Sequence, residues 1–209
     1  NATASGGSNV KNAENYFNEF IGPELQVLTK DRHLFAFKNG NYITKYNIAG
    51  PGEPPKYTDV FVPYGTGHPY ISHFSIACKY HDFEFVDFDT TGEDWFTKIM
   101  SKCKTLKSLL EYQEFNDEIQ QWLCTFMGRM CFELGDMDNW QVLFYLLGQA
   151  GAGKSTILMK IIQKFFDDED VGVIANNIDP KYGIKPHANK LMVIAPEISE
   201  NFKMEQTDW

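Results

Sequence analysis

The chain has 209 residues, 43% of them hydrophobic and 22% charged. That composition excludes wholesale disorder and supports one sizeable core or two small ones. The net charge of -9 leaves no third of the chain basic, which excludes a broad nucleic-acid surface built on charge alone.

In chain order, residues 1–10 are small and polar, and a short helix is expected over Ala13–Phe20. The Asn1-Ala-Thr triplet matches a glycosylation pattern that a reduced intracellular chain would not use. HLFAF and NYITKY flank Lys38-Asn39-Gly40-Asn41, the signature of a hairpin. The run AGPGEPPKY at 49–57 is loop, and VFVPY and FSIACKY read as two further short strands. Residues 1–90 are therefore expected to form a small mixed α/β, strand-rich module.

The period changes after Asp89. Trp95, Phe96, Ile99, Met100, Cys103, Leu106, Leu109 and Leu110 recur at three- and four-residue steps, which predicts one helix over 94–110 capped near Thr91. Ile119, Trp122, Leu123, Phe126, Met127, Met130 and Cys131 predict a second over 117–134, starting at Asn116 and ended by Gly135. Together, 91–136 are expected to make a paired-helix collar. Trp95, Trp122 and the Met and Phe residues near them read as its core, not as a base-stacking platform.

Residues 142–147, VLFYLL, are continuously apolar and predict a buried parallel strand. Directly after them come Gly148, Gln149, Ala150, Gly151, Ala152, Gly153, Lys154, Ser155 and Thr156, then ILMKIIQKFF. This is G-x-x-x-x-G-K-S between a predicted strand and a predicted helix, the context a phosphate-binding loop requires. Glycines let backbone N–H groups surround an anion. Lys154 would reach the β- and γ-phosphates of ATP, and Ser155 would offer its hydroxyl oxygen to Mg²⁺. VGVIA at 171–175 and LMVIA at 191–195 are candidate neighbouring strands. The second ends in Pro196-Glu197, placing Glu197 to orient the attacking water or to help hold Mg²⁺. Pro196 stands where a paired acid is usual, so either Glu197 alone does more or Glu200 or Asp179 assists.

Four further patterns are less specific. His68, His73, Cys78 and His81 include zinc-ligand types, but their spacing matches no ligand set, so no structural metal is expected. Lys181, Lys185 and Lys190 surround a loop that could face DNA, with a solvated surface as the plainer reading. The acidic run 167–170 reads as a solvated helix end. Arg129, one of two arginines with Arg32, would either pair across a subunit boundary or lie on an ordinary surface. The four cysteines form no C-x-x-C pattern and read as reduced thiols, hence an intracellular setting. No signal peptide and no apolar run of about 18 residues is present.

Tyr112-Gln113, Gly128-Arg129, Asp138-Asn139-Trp140-Gln141, the stretch GQAGAGKST, NNIDPKYG and APEISENFKMEQTDW carry a resemblance. Through them residues 92–209 resemble the superfamily 3 helicase domain of the D5-like primase–helicases of large nucleocytoplasmic DNA viruses. The resemblance implies an α/β P-loop NTPase core from about 137, of the ASCE/AAA+-like kind, with a Walker B and B′ region near its end. It implies an ATP-fuelled hexameric ring that translocates along DNA in viral replication, with other replication proteins as partners. The location it implies is the host cytoplasm or nucleus. Motif C and an arginine finger would lie beyond Trp209, so the chain is expected to be a truncated piece, weak or inactive alone. Other classes carrying the same loop are a packaging ATPase, a nucleotide-gated assembly protein and a small-molecule kinase.

Overall fold

The computed structural model describes residues 28–72, 74–88, 92–140, 142–175 and 185–198. The expected helix at Ala13–Phe20, the cap near Thr91, and His73, Asp179, Lys181 and Glu200 lie outside the described residues.

Four strands come first: β1 Thr29–Phe37, β2 Gly40–Asn47, β3 Tyr57–Pro63 and β4 Ser75–His81. They form one sheet in the order β3-β2-β1-β4. β1 and β2 make the expected hairpin, with Phe37 opposite Gly40, so Lys38 and Asn39 are its loop residues. Gly40 already belongs to β2. A Cβ there would lie 2.4 Å from the Val62 carbonyl oxygen, so the close approach of β3 demands the glycine. β4 runs parallel to β1, and their register shifts between Asp31 and Phe35, a bulge that lifts Arg32 and His33 out of the ladder.

Both faces of this sheet are apolar. Leu34, Ile43 and Val62 fill one, beneath Tyr70 and Ile71. Phe35, Phe37 and Cys78 belong to a larger core that continues through Phe96, Met100, Leu110, Leu123, Met127, Ile157, Ile162, Phe166, Val171, Met192 and Ile194. One core thus draws on all three of the segments that composition and periodicity distinguish.

The stripe at 94–110 folds as two helices, α1 Trp95–Lys102 and α2 Lys104–Tyr112. Cys103 separates them, with ψ 51 taking it out of the helical region. Its N–H donates to the Ile99 carbonyl at 3.2 Å, and its carbonyl accepts from Lys107 at 2.9 Å, so one residue ends one helix and starts the next. α3 covers Asp117–Arg129, and the Asn116 side chain accepts from the Ile119 N–H as expected of the cap. α3 stops five residues before the expected end. Its buried face is Gln120, Leu123 and Met127, while Ile119 and Trp122 are exposed.

The expected strand at 142–147 does not form. Phe144 and Leu146 pack on the core, whereas Leu143, Tyr145 and Leu147 are 86%, 62% and 85% exposed. The alternation is that of a strand, but Val142–Phe144 face Leu191–Val193 across a groove of about 600 Å³ instead of bonding to them. Beyond the glycine-rich stretch a π-helical turn, Thr156–Ile161, runs into a 3₁₀ turn, Ile162–Phe165, and then a second, Asp168–Asp170. β5 Val171–Val173 and β6 Met192–Ile194 pair in parallel, within the two segments expected to supply strands. No helix among the described residues is long and apolar enough to cross a membrane.

Candidate phosphate-binding loop

Residues 148–156 form a tight turn leading into the helical segment. Gly151 and Gly153 have φ of 79° and 85°, the left-handed region that side-chain-bearing residues rarely occupy. The Ala152 N–H donates to the Gln149 carbonyl at 3.3 Å and closes the turn, and the Ile157 N–H donates to the Gly153 carbonyl at 3.1 Å and begins the helical segment. A Cβ on Gly153 would meet the Leu109 side chain at 3.4 Å, so α2 backs the loop. The Lys154 ammonium donates to the carbonyls of Gly148 and Gln149 at 2.5 and 2.6 Å. The cation expected to meet phosphate therefore curls over its own loop, and its hydrogen-bond partners among the described residues are neutral. Ser155 and Thr156 are exposed. Glu197 is also exposed, just past the end of β6 and after Ala195-Pro196.

These side chains fit a nucleotide in three respects. Both glycines required for a wrapped backbone are in left-handed conformations, the lysine has no carboxylate partner among the described residues, and a serine side chain is open to solvent. The strand that should precede the loop is the part that does not conform.

The other candidates separate. Lys185 is exposed on a 3₁₀ turn, and Lys190 donates to the Glu169 carbonyl. Cys78 is fully buried, and burial pushes its thiol up to about 12. His81 stacks on Phe37 at 5.0 Å, while the His68 ring packs on Tyr46 at 4.7 Å. Arg129 pairs within the chain, with Asp138 and with the Trp140 carbonyl. The Trp140 backbone N–H and then Arg129 hold the Asp138 carboxyl below its usual range.

The acidic run at 167–170 is not merely solvated. Oxygens of Asp167, Glu169 and Asp170 lie within 4.8 Å of one another, close enough for a metal ion. Lys30 of β1 holds that position, at 2.6 Å from Asp170, 2.7 Å from Glu169 and 3.4 Å from Asp167. Asp170 and then Glu169 raise the Lys30 pKa, and Lys79 of β4, 2.6 Å away, is the main cause of the lowered Asp167 pKa. Close by, Arg32 donates to the carbonyls of Met130, Cys131, Phe132 and Leu191. Asp136 pairs with Lys45, and its other oxygen sits 3.3 Å from His33 Nε2 without a hydrogen bond.

None of these contacts is foreshadowed by a motif. Only the unusual sequence Lys30-Asp-Arg-His at the start of a strand hints that β1 presents charge to something other than water. Compared with protein-family models, curated proteins and solved structures, the chain matches none.

Proposed function

We propose that the chain is a nucleotide-binding unit that uses the loop at 148–156 to hold the phosphates of ATP, and that it belongs to a superfamily 3 DNA helicase acting in viral replication. The observation that carries the nucleotide reading is the pair of left-handed glycines around Ala152 followed by Lys154 and Ser155. Such a turn aims successive N–H groups at one point, and an ammonium within the same loop neutralises the anion that arrives there. Nucleotide would replace the two loop carbonyls as the partner of Lys154, an exchange of neutral acceptors for a charged one. Gly153 leaves room for Leu109 behind the loop. Ser155 would hold Mg²⁺, whose role when bound is to neutralise charge developing on the phosphates. Glu197 would orient water at the end of β6.

The helicase reading rests on the order DNWQ, GQAGAGKST and APEISENFKMEQ in the sequence. Ring assembly and DNA translocation belong to that reading and to the longer protein it implies.

The test is equilibrium binding of a fluorescent ATP analogue to the whole chain, with turnover measured alongside. Lys154→Ala is expected to weaken binding and abolish hydrolysis. Glu197→Gln is expected to bind like the parent and to lose about 10²-fold or more in turnover wherever the parent hydrolyses. A parent chain that binds no nucleotide, or Lys154→Ala binding as the parent does, overturns the reading. Turnover by Glu197→Gln at the parent rate removes Glu197 alone from the mechanism.

A further inference from the structure

The phosphate loop and Glu197 lie on separate segments joined by a long connection, and their relative position must be fixed by something. The loop opens a helical run that ends at Phe166, followed at once by Asp167, Glu169 and Asp170. Glu197 follows β6, which Leu191 enters. The far ends of both segments meet: the Leu191 N–H donates to the Asp170 carbonyl at 2.9 Å. Two cations from one strand grip this junction. Lys30 takes the Asp170 and Glu169 carboxylates at 2.6 and 2.7 Å. The guanidinium of Arg32 donates to the Leu191 carbonyl at 2.7 Å and lies 5.8 Å from the centre of the fully buried Phe166 ring. It also satisfies the carbonyls of Met130, Cys131 and Phe132 past the end of α3, where orphaned acceptors and the helix dipole both favour a cation. The bulge in β1 is what brings Arg32 to that point.

We propose that Lys30 and Arg32 form a two-point clamp in which the N-terminal sheet holds the root of the phosphate-loop segment against the root of β6, making both positioning residues for the reaction proposed above. As a claim about catalysis the clamp rests on the nucleotide reading; as a claim about the junction it does not. A planar fork can reach the carbonyls past α3 and that of Leu191 together, whereas a lysine ammonium at position 32 keeps the charge and loses the span. Slackness at the root is carried to the other end of each segment, where misplacement by about 1 Å can cost roughly 10²-fold in rate.

Two measurements on the whole chain test it. The first is amide hydrogen exchange without nucleotide. Arg32→Lys and Lys30→Ala are each expected to speed exchange at 166–173 and 191–194 by about tenfold or more, with β2 and β3 unchanged. Lys30→Glu should loosen the junction further, and adding Asp170→Lys to it should restore part of the protection. Because the double variant must regain what the single one loses, a general folding defect is told apart from a broken clamp. The second is nucleotide affinity against turnover: Arg32→Lys should keep affinity within about twofold while turnover falls. Unchanged exchange at both segments in Arg32→Lys and Lys30→Ala overturns the clamp, as does a double variant no better than Lys30→Glu. Affinity falling in step with turnover overturns the positioning role. If the parent binds no nucleotide, the nucleotide reading fails and exchange alone decides the clamp.

Discussion

The two ends of the chain solve the strand problem differently. In β1–β4, four strands of seven to nine residues share ladders interrupted only by register shifts in the β1–β4 and β2–β3 pairs, and Ile43 and Cys78 are fully shielded on opposite faces. At the other end, β5 and β6 are three residues each, the helical run is π and then 3₁₀, and the apolar stretch 142–147 bonds to neither strand. A hairpin closes with two loop residues, so β1 and β2 find each other locally. Parallel strands need a crossover and a complete set of neighbours before any one is satisfied, so a short parallel sheet stays sparse. What the sparse end lacks in ladder it recovers by leaning on the sheet, through the common core and the cations of β1.

The strongest way to break this comparison is to remove the side chain that joins the two ends. Phe166 is fully buried and its ring lies 5.9 Å from that of Phe35. Phe166→Ala is expected to destabilise by about 3–5 kcal/mol. Guanidinium unfolding, followed by tryptophan fluorescence and by circular dichroism, should still give one coincident transition. If the sheet signal outlives the fluorescence change, the ends fold independently and the shared core is not cooperative.

A smaller effect sharpens the helical part. Asn116→Ala removes the side-chain acceptor for the Ile119 N–H and should cost about 1 kcal/mol. A loss well above that range in denaturant midpoint would mean Asn116 holds more than the start of α3.

The smallest expected effect is on pH dependence. Burial lowers the pKa of His33 beside Asp136 and of His81 on the sheet below 6.5. The unfolded chain therefore binds protons that the folded chain refuses. Stability from these groups is complete above about 6.5 and is lost as pH falls through the lowered folded values. Asp167, held down by Lys79 and Lys30, adds a separate loss below its ordinary value of 3.8. His33→Gln should flatten the stability curve just below pH 6.5 and leave the more acidic limb alone. An unchanged slope there would remove His33 from the account.

Local signals made a good part of this legible in the sequence. Asn39-Gly40 between apolar alternations specified the hairpin, though glycine serves β3 packing and not the turn. Asn116 marked a helix start, and the glycine spacing before Lys154 marked the two left-handed positions. Periodicity could not show the break at Cys103, because the apolar stripe keeps its phase on either side of one non-helical residue. Nor could it show that Leu143, Tyr145 and Leu147 face solvent, because an unbroken apolar run reads as buried on both sides whatever surrounds it. Lys30 and Arg32 meet partners 137 to 159 residues away, or 98 to 100 in the case of the carbonyls just past α3. Contacts at that separation leave no periodic trace.

The stretch 142–147 has one further consequence, for the chain in a test tube. It is free of charge and proline, and shows alternate large apolar side chains to water. Those are the attributes of a segment that templates stacking of identical copies, each new copy supplying the hydrogen bonds the last one lacked. A purified sample is therefore expected to lose monomer faster as its concentration rises, which light scattering across a dilution series would check.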